Sequence, residues 1–278
     1  MSEEPARRKH IILGAGGAIG QVLAHESISQ GESVKLVSRR EHTLPGAVST
    51  QADLLDRQQT VDAIEPNAIV YLLAGLPYRA SAWQTMWPTL MANVIAGCQA
   101  KDARLIFFDN IYMYGRVEGA ITEDAPINPC SKKGEVRARI AEDLLSEARN
   151  GNLYATIARA ADFYGPFADT TSVPYLLMIK RLAAGKSAQV LVDPDRVHSY
   201  TFTGDCGKAL YHLSRSDNAN ATVWHLPTAR PALTSRQFID MVAQQLNVKP
   251  KTTVLRKWMV RLAGLFDAQT RELHEMLY

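Results

Sequence analysis

Short apolar runs alternate along the chain with longer stretches of mixed polarity. The strand-like runs lie at residues 11–13, 33–38, 47–51, 68–75, 104–108, 154–160 and 222–226. Segments of helical length separate them, at residues 21–30, 54–64, 83–100, 133–147 and 206–214. The run at 68–75 is continuously apolar, which is typical of a parallel strand buried on both faces. This alternation predicts an α/β protein with a Rossmann-type, doubly wound parallel sheet.

A glycine-rich turn follows the first apolar run. It reads Gly14-Ala15-Gly16-Gly17-Ala18-Ile19-Gly20, which fits Gly-x-x-Gly-x-x-Gly, whereas the stricter Gly-x-Gly-x-x-Gly would need a third glycine at Ile19. Glycines between a strand and a helix permit a tight turn and a close approach of the backbone to a pyrophosphate. The N-terminus of the next helix favours an anion. The stretch therefore predicts a dinucleotide cradle.

The end of the second strand indicates which dinucleotide binds. Ser38 lies where NAD-binding folds of this kind carry an acidic residue for the ribose 2′-hydroxyl, and Arg39 and Arg40 follow it. A hydroxyl and two guanidinium groups suit an added 2′-phosphate. The sequence therefore predicts NADP rather than NAD. The alternative is that both arginines only solvate a surface loop.

Composition narrows the functional class. The chain has 278 residues, is 46% hydrophobic and carries a net charge of +3, with basic and acidic residues interspersed. No basic stripe for nucleic acid, no secretory signal and no apolar run of membrane-spanning length occurs. The three cysteines, Cys98, Cys130 and Cys206, are widely spaced, so neither a disulfide framework nor a metal site is indicated. We expect a cytoplasmic protein that binds a small-molecule substrate and contacts neither nucleic acid nor membrane.

Several further motifs lie at strand ends and on helices. They are Asp53, Leu73-Ala74-Gly75, Asn93, Tyr114-Gly115 and Phe163-Tyr164-Gly165-Pro166. Together with the glycine turn, they resemble the extended short-chain dehydrogenases/reductases, the NAD-dependent epimerase/dehydratase family. The resemblance implies that Asp53, with Leu54, lies near the adenine, and that Leu73, Ala74, Gly75 and Asn93 belong to the cofactor site. It also implies a homodimer built on helices 83–100 and 133–147.

The same resemblance implies two lobes. Residues 1–165, completed by 196–226, would form the cofactor domain. Residues 166–195 and 227–278 would form a smaller C-terminal α/β lobe that holds the substrate. No low-complexity linker separates these regions, so we expect them to pack as one unit with a cleft between them.

The chain departs from this family at its proton relay. Members carry a Ser or Thr five residues before the glycine of their Val-Tyr-Gly motif, and the residue at that place here is Asn110. They also carry a Tyr-x-x-x-Lys pair on the next helix. Counting back from Glu142 gives Gly134 and Ala138 for that pair, so the tyrosine and lysine are missing. A relay in which a tyrosine hydroxyl moves the proton is therefore not expected.

Three residues near the end of the fifth strand are candidates to replace the relay. Asp109 could accept a proton, Tyr112 could supply a hydroxyl, and Asn110 could hydrogen-bond a substrate oxygen. Each also has a structural interpretation, as a turn cap or a packing aromatic. Lys132 and Lys133 are expected to form a solvated helix start.

The substrate side contains Tyr164, Arg196 and His198. His198 lies where family members often carry a phosphate-contacting arginine, which weakens the case for a nucleotide-sugar substrate. Arg196 could still reach a phosphate, and His198 could bind substrate or be a hydrogen-bonded structural residue. Asp205 is expected to cap the following helix.

Three functions remain open. The first is an NADP-dependent oxidoreductase, epimerase or dehydratase that acts on a small hydroxyl- or carbonyl-bearing substrate and uses a nonstandard proton relay. The second is an inactive NADP-binding sensor or partner-binding protein. The third is a non-redox enzyme in which the nucleotide is structural.

Overall fold

The computed structural model describes residues 8–265 and 267–277. Its strands, numbered along the chain, are β1 His10–Leu13, β2 Val34–Ser38, β3 Ala47–Gln51, β4 Ile69–Leu72, β5 Arg104–Asp109, β6 Ala155–Arg159, β7 Asp162–Tyr164, β8 Ala188–Leu191, β9 Val197–His198, β10 Tyr200–Phe202, β11 Thr222–His225, β12 Leu233–Thr234 and β13 Thr252–Leu255.

Helices connect most of these strands. They are α1 Ala18–Ser29, α2 Arg57–Ala63, α3 Ala80–Ala100, α4 Lys132–Arg149, α5 Lys180–Ala183, α6 Thr203–Ser214, α7 Ser235–Gln245, α8 Lys257–Ala263 and α9 Ala268–His274. A π-helical segment, Tyr175–Ile179, leads into α5.

Seven strands form one parallel sheet in the order β11-β6-β5-β4-β1-β2-β3. The chain winds outward from β1 in one direction through β2 and β3, then crosses back to β4 and continues to β11. The strand order therefore reverses beside β1, and open α/β sheets bind ligands outside the carboxyl ends of their strands at such a point. The prediction of a Rossmann-type, doubly wound sheet is confirmed.

Both faces of the sheet are covered by helices. On one face, α2, α3 and α4 pack over a core that includes Val70, Leu72 and Phe107. On the other, α1 and α6 pack against each other over Ile12, Leu36 and Tyr71. Burial on both faces explains why the central strands are continuously apolar. The helices α3 and α4 lie side by side, and the homodimer expected on them stays a prediction.

A third apolar cluster belongs to the C-terminal part of the chain. It joins Met178 and Leu182 to Val190, Tyr200 and Phe238. Small two-stranded ladders, β8 with β13 and β9 with β12, hold this region together. The predicted domain boundaries stay predictions, but this cluster gives residues after 165 an apolar core of their own.

Local differences from the sequence analysis have simple causes. Helix α1 begins at Ala18 rather than near residue 21, with Gly17 as its N-cap and Gly20 already in its first turn. Asp205 lies inside the first turn of α6, whose N-cap is Phe202, so the predicted cap at Asp205 is wrong. In the described part of the chain, no helix combines the length and apolar character that crossing a membrane requires.

Candidate functional site

The glycine turn joins β1 to α1 as a bare cradle. Gly14 has a φ of 93°, and a Cβ placed on it would lie 2.5 Å from the backbone N and Cα of Ala74, two residues past the end of β4. A Cβ on Gly20 would lie 2.9 Å from Ala15, which shows how closely the helix packs on the turn. Gly17 is the N-cap of α1 and no side chain caps the helix. The first-turn N–H groups are therefore available to an anion.

A cavity of about 660 Å³ opens from this turn along the carboxyl edge of the sheet. Most of the residues predicted to bind the cofactor line it, namely Gly14, Gly16, Gly17, Ser38, Arg39, Arg40, Asp53, Leu54, Ala74 and Gly75. His42, Ala52, Leu55, Leu76, Met86 and Leu90 complete the wall. The cavity therefore extends over the glycine turn, the end of β2 and the residues just after β4.

Five predicted cofactor residues are not part of the wall. Ala18, Ile19 and Gly20 are buried in α1, and Leu73 is buried beside the cavity. Asn93 is buried on α3, where its side-chain amide donates to the carbonyl of Leu54 at 3.0 Å. Asn93 therefore supports the cavity floor through Leu54 rather than facing a ligand.

The end of β2 is positively charged. Ser38 Oγ donates to the carbonyl of Arg40 in a short hydrogen bond, which shapes the loop. Arg39 and Arg40 are exposed, and neither guanidinium forms an ion pair with any residue that the structure describes. Asp53, on the same cavity, accepts a hydrogen bond from the backbone N–H of Leu55 at 3.0 Å. Both guanidinium groups therefore line the cavity without an ion pair to any carboxylate that the structure describes, although Asp53 lies on the same wall.

Asp109, at the end of β5, is held by two buried arginines. Its Oδ1 lies 2.6 Å from Nε of Arg137, and its Oδ2 lies 3.5 Å from Nε of Arg159. Arg159 also donates to the hydroxyl of Tyr114 at 2.6 Å. Since both carboxylate oxygens face cations in the protein interior, this geometry favours a structural role for Asp109.

Asn110 and Tyr112 shape the next turn. Asn110 Oδ1 accepts the backbone N–H of Tyr112 at 3.0 Å. The hydroxyl of Tyr112 lies 3.3 Å from that of Tyr78, and its ring stacks on Trp83 with centroids 6.2 Å apart. Burial raises the pKa of Tyr112 well above its ordinary value. Tyr112 can therefore donate a hydrogen bond, but it is not a phenolate base near neutral pH.

Helix α4 turns Lys133 and Arg137 inward, four residues apart. The expectation of a solvated helix start holds for Lys132, which is exposed, and is wrong for Lys133, which is fully buried. The ammonium of Lys133 lies 4.7 Å from the ring centroid of Tyr78. The guanidinium of Arg137 lies 4.2 Å from the ring centroid of Trp87. Lys133 and Arg137 therefore each lie one residue before the positions, Gly134 and Ala138, at which counting from Glu142 places the family's tyrosine and lysine.

The C-terminal helix reaches this buried lysine. Glu272 Oε2 lies 2.5 Å and Glu275 Oε2 lies 2.8 Å from the Lys133 ammonium. Glu272 also accepts the backbone N–H of Ala80, at the start of α3, at 2.9 Å. Charge-assisted contacts therefore tie the end of the described chain to the starts of α3 and α4.

His198, on β9, pairs with Asp162, on β7. Their Nε2 and Oδ2 atoms lie 2.9 Å apart, and both side chains are about half exposed. Strand pairing brings them together, because β7 aligns Asp162 with Tyr200 of β10. Burial opposes protonation of His198, but the hydrogen bond and charge of Asp162 outweigh it and raise the pKa of the imidazole. The charge of Asp162 also acts on Tyr112.

The other two predicted substrate residues differ in their surroundings. Tyr164 packs between Phe202 and Phe238, with ring centroids 5.7 Å and 5.2 Å away. Arg196 is 85% exposed and lies 3.5 Å from Asp193. Among the described residues, no group of three or more His, Cys, Asp or Glu side chains is arranged to hold a metal ion.

Comparison with known proteins gives a consistent family. The model of the NAD dependent epimerase/dehydratase family matches residues 10–225. A dTDP-4-dehydrorhamnose reductase from Mycolicibacterium smegmatis is 28% identical over 218 residues, which cover 73% of this chain and 59% of that protein. The match thus spans well under two thirds of the relative's length.

Solved structures with the same fold bind NAD. The UDP-glucose 4-epimerase of Thermus thermophilus in complex with NAD has a TM-score of 0.76 at 18% identity, covering 89% of this chain and 86% of that one. The UDP-glucuronic acid 4-epimerase of Bacillus cereus in complex with NAD has the same TM-score of 0.76 at 18% identity, covering 89% and 87%. At this identity the likeness concerns the fold.

Proposed function

The chain belongs to the NAD-dependent epimerase/dehydratase family, and from that premise we propose that it is an NADP-dependent enzyme acting on a small hydroxyl- or carbonyl-bearing substrate. One observation carries the proposal. The cavity at the carboxyl edge of the sheet has, at its glycine turn, a helix start that no described side chain caps. At the end of β2 it has two guanidinium groups that pair with no described carboxylate. These are the groups that a pyrophosphate and a 2′-phosphate require.

The residues present fit this cofactor. The first turn of α1 would hold the pyrophosphate, Arg39 and Arg40 the 2′-phosphate, and Ala74 and Gly75 leave room beside the end of β4. Such a cofactor supplies hydride transfer to or from a substrate carbon. The protein's own task is then to orient the substrate and to move one proton at its oxygen.

For the proton step we propose His198, oriented by Asp162. If Asp162 accepts a hydrogen bond from Nε2–H, the Nδ1 atom of the imidazole is left to exchange a proton with the substrate. The hydroxyl of Tyr112, paired with that of Tyr78, is available to donate a hydrogen bond to the same substrate oxygen. Asp109 and Asn110 would instead hold the turn that carries Tyr112.

The substrate class follows from the side chains around the Asp162–His198 pair. The charge of Asp162 acts on Tyr78 and Tyr112, which carry hydroxyls, and Tyr164, at the other end of β7, packs against Phe202. This combination suits a compact polyhydroxylated ring with a carbonyl or an oxidisable hydroxyl. The reductase and epimerases named above act on sugars attached to nucleotides, and a sugar is the substrate part that this site would share with them.

The purified protein tests this function directly. NADPH and NADH are titrated first, and absorbance in the reduced-nicotinamide band is then followed with a panel of keto sugars and simple ketones. We expect tighter binding of NADPH and oxidation of it with at least one sugar-like ketone. Binding of NADPH without turnover across the panel would favour the sensor function. If neither nucleotide binds, the proposal is wrong.

Arg39→Ala tests the cofactor choice. A guanidinium–phosphate pair contributes about 1.5–3 kcal/mol, so the variant should bind NADP roughly tenfold or more weakly and bind NAD almost unchanged. Calorimetric titration measures both affinities. Arg139→Ala, on the exposed face of α4, is the control for losing one arginine. Equal losses for NADP and NAD would contradict the assignment.

A further inference from the structure

His42 lies on the wall of the cofactor cavity, two residues after Arg40. Its ring packs directly over the glycine turn. A Cβ placed on Gly16 would collide with Nε2 of His42 and would lie 2.8 Å from its Cε1. The imidazole therefore spans the gap between the loop after β2 and the cradle after β1.

Backbone contacts hold the His42 loop in this place. The N–H of His42 donates to Oγ of Ser49 on β3 at 3.3 Å. Earlier in the loop, the hydroxyl of Ser38 is bonded to the carbonyl of Arg40. The loop is thus fixed to β3 on one side and to the end of β2 on the other, and the imidazole is directed across the cavity rather than into solvent.

The charges around His42 are mostly positive. Arg39 and Arg40 share the cavity wall with it, and Asp53 is the one carboxylate among the described residues of that wall. The glycine turn that His42 touches has no charged side chain. An anion that binds among Arg39, Arg40 and His42 would meet N–H donors from all three side chains.

We propose that His42 completes a phosphomonoester site with Arg39 and Arg40 and donates a hydrogen bond to the 2′-phosphate of NADP. The inference rests on the proposed function, since it deepens the choice of NADP. The two arginines supply positive charge at the end of β2, and His42 supplies a donor held between that loop and the glycine turn. NADP affinity therefore depends on the imidazole, whereas NAD, which lacks this phosphate, does not gain from it.

The test compares His42→Ala with the unaltered protein by calorimetric titration of NADPH and NADH at one fixed pH. His212→Ala, the same substitution at an exposed position on α6, is the matched control.

We expect His42→Ala to weaken NADPH binding about tenfold, as loss of one hydrogen bond to a charged group would. NADH affinity should be unchanged, and His212→Ala should match the unaltered protein.

Each other outcome overturns one specific statement. Equal weakening of NADPH and NADH would place His42 at the shared part of the dinucleotide and overturn the inference. If the unaltered protein prefers NADPH and His42→Ala has no effect, the inference fails while the proposed function stands. If the unaltered protein binds neither nucleotide, the proposed function fails.

Discussion

Gly14→Ala should lower the thermal midpoint of unfolding by about 6 °C or more, the equivalent of roughly 3 kcal/mol. Two costs add. An alanine at a φ of 93° is strained, and its Cβ would lie 2.5 Å from backbone atoms of Ala74. No rotamer relieves a clash with backbone, so β1 and β4 would have to separate at the centre of the sheet.

Gly17→Ala provides the matched control three residues along. A Cβ on Gly17 would meet only the carbonyl oxygen of Gly14, at an ordinary 3.5 Å. We therefore expect the midpoint of this variant to stay near that of the unaltered protein in scanning fluorimetry. Equal destabilisation by both substitutions would mean that the close approach of β1 to β4 is not what requires Gly14.

The contrast between these glycines shows how much of the fold the sequence could predict. Spacing alone identified the turn, and the apolar runs identified the strands of the central sheet, because both signals are local. The spacing of the glycines could not distinguish the role of Gly14 from that of Gly17. That distinction depends on Ala74, a residue sixty positions away that the sheet brings alongside β1.

The cofactor end of the site was predictable for the same reason. The glycine turn and the Ser38-Arg39-Arg40 run are each continuous in sequence, and the parallel sheet places both at one edge. His42 was missed because its position over Gly16 depends on how the loop before β3 folds back. A histidine two residues after an arginine pair at a strand end was the available signal.

The inward face of α4 was misjudged by one residue. Counting from Glu142 selects Gly134 and Ala138, but the buried face runs through Lys133, Arg137 and Ala141. A Cβ on Gly134 would lie 2.6 Å from the carbonyl oxygen of Tyr112, so no larger side chain fits there. A tyrosine at that position would therefore disrupt the turn after β5. The four-residue spacing of Lys133 and Arg137 was the sequence signal that could have identified them as the inward pair.

Asp109 shows that a local sequence pattern cannot identify the partners of a side chain. A carboxylate at a strand end suggests a proton acceptor, but its arginine partners come from α4 and β6, 28 and 50 residues away in sequence. The Asp162–His198 pair is similar, since its members are 36 residues apart. Contacts between residues distant in sequence therefore determine that Asp109 is buried between two arginines, whereas Asp162 is half exposed beside a histidine.

His198→Gln should lower kcat/KM for reduction of a carbonyl substrate about 100-fold, the usual contribution of a positioned acid or base. Glutamine keeps a side-chain hydrogen bond to Asp162 available but cannot transfer a proton. NADPH affinity should be unchanged, because His198 is not part of the cofactor cavity wall. Steady-state kinetics and calorimetric titration measure the two quantities, and His212→Gln is the control.

The pH profile separates a proton donor from a substrate ligand. Reduction needs the protonated imidazole, so the rate should be constant at low pH and fall as pH rises through the raised pKa of His198. Asp162→Asn removes the charge that raises this pKa and leaves the opposing effect of burial. The falling limb should therefore move to lower pH, whereas oxidation of the product alcohol, which needs the neutral imidazole, should become active at lower pH. If His198→Gln raises KM alone, or if Asp162→Asn leaves the limb in place, the histidine binds substrate and another group moves the proton.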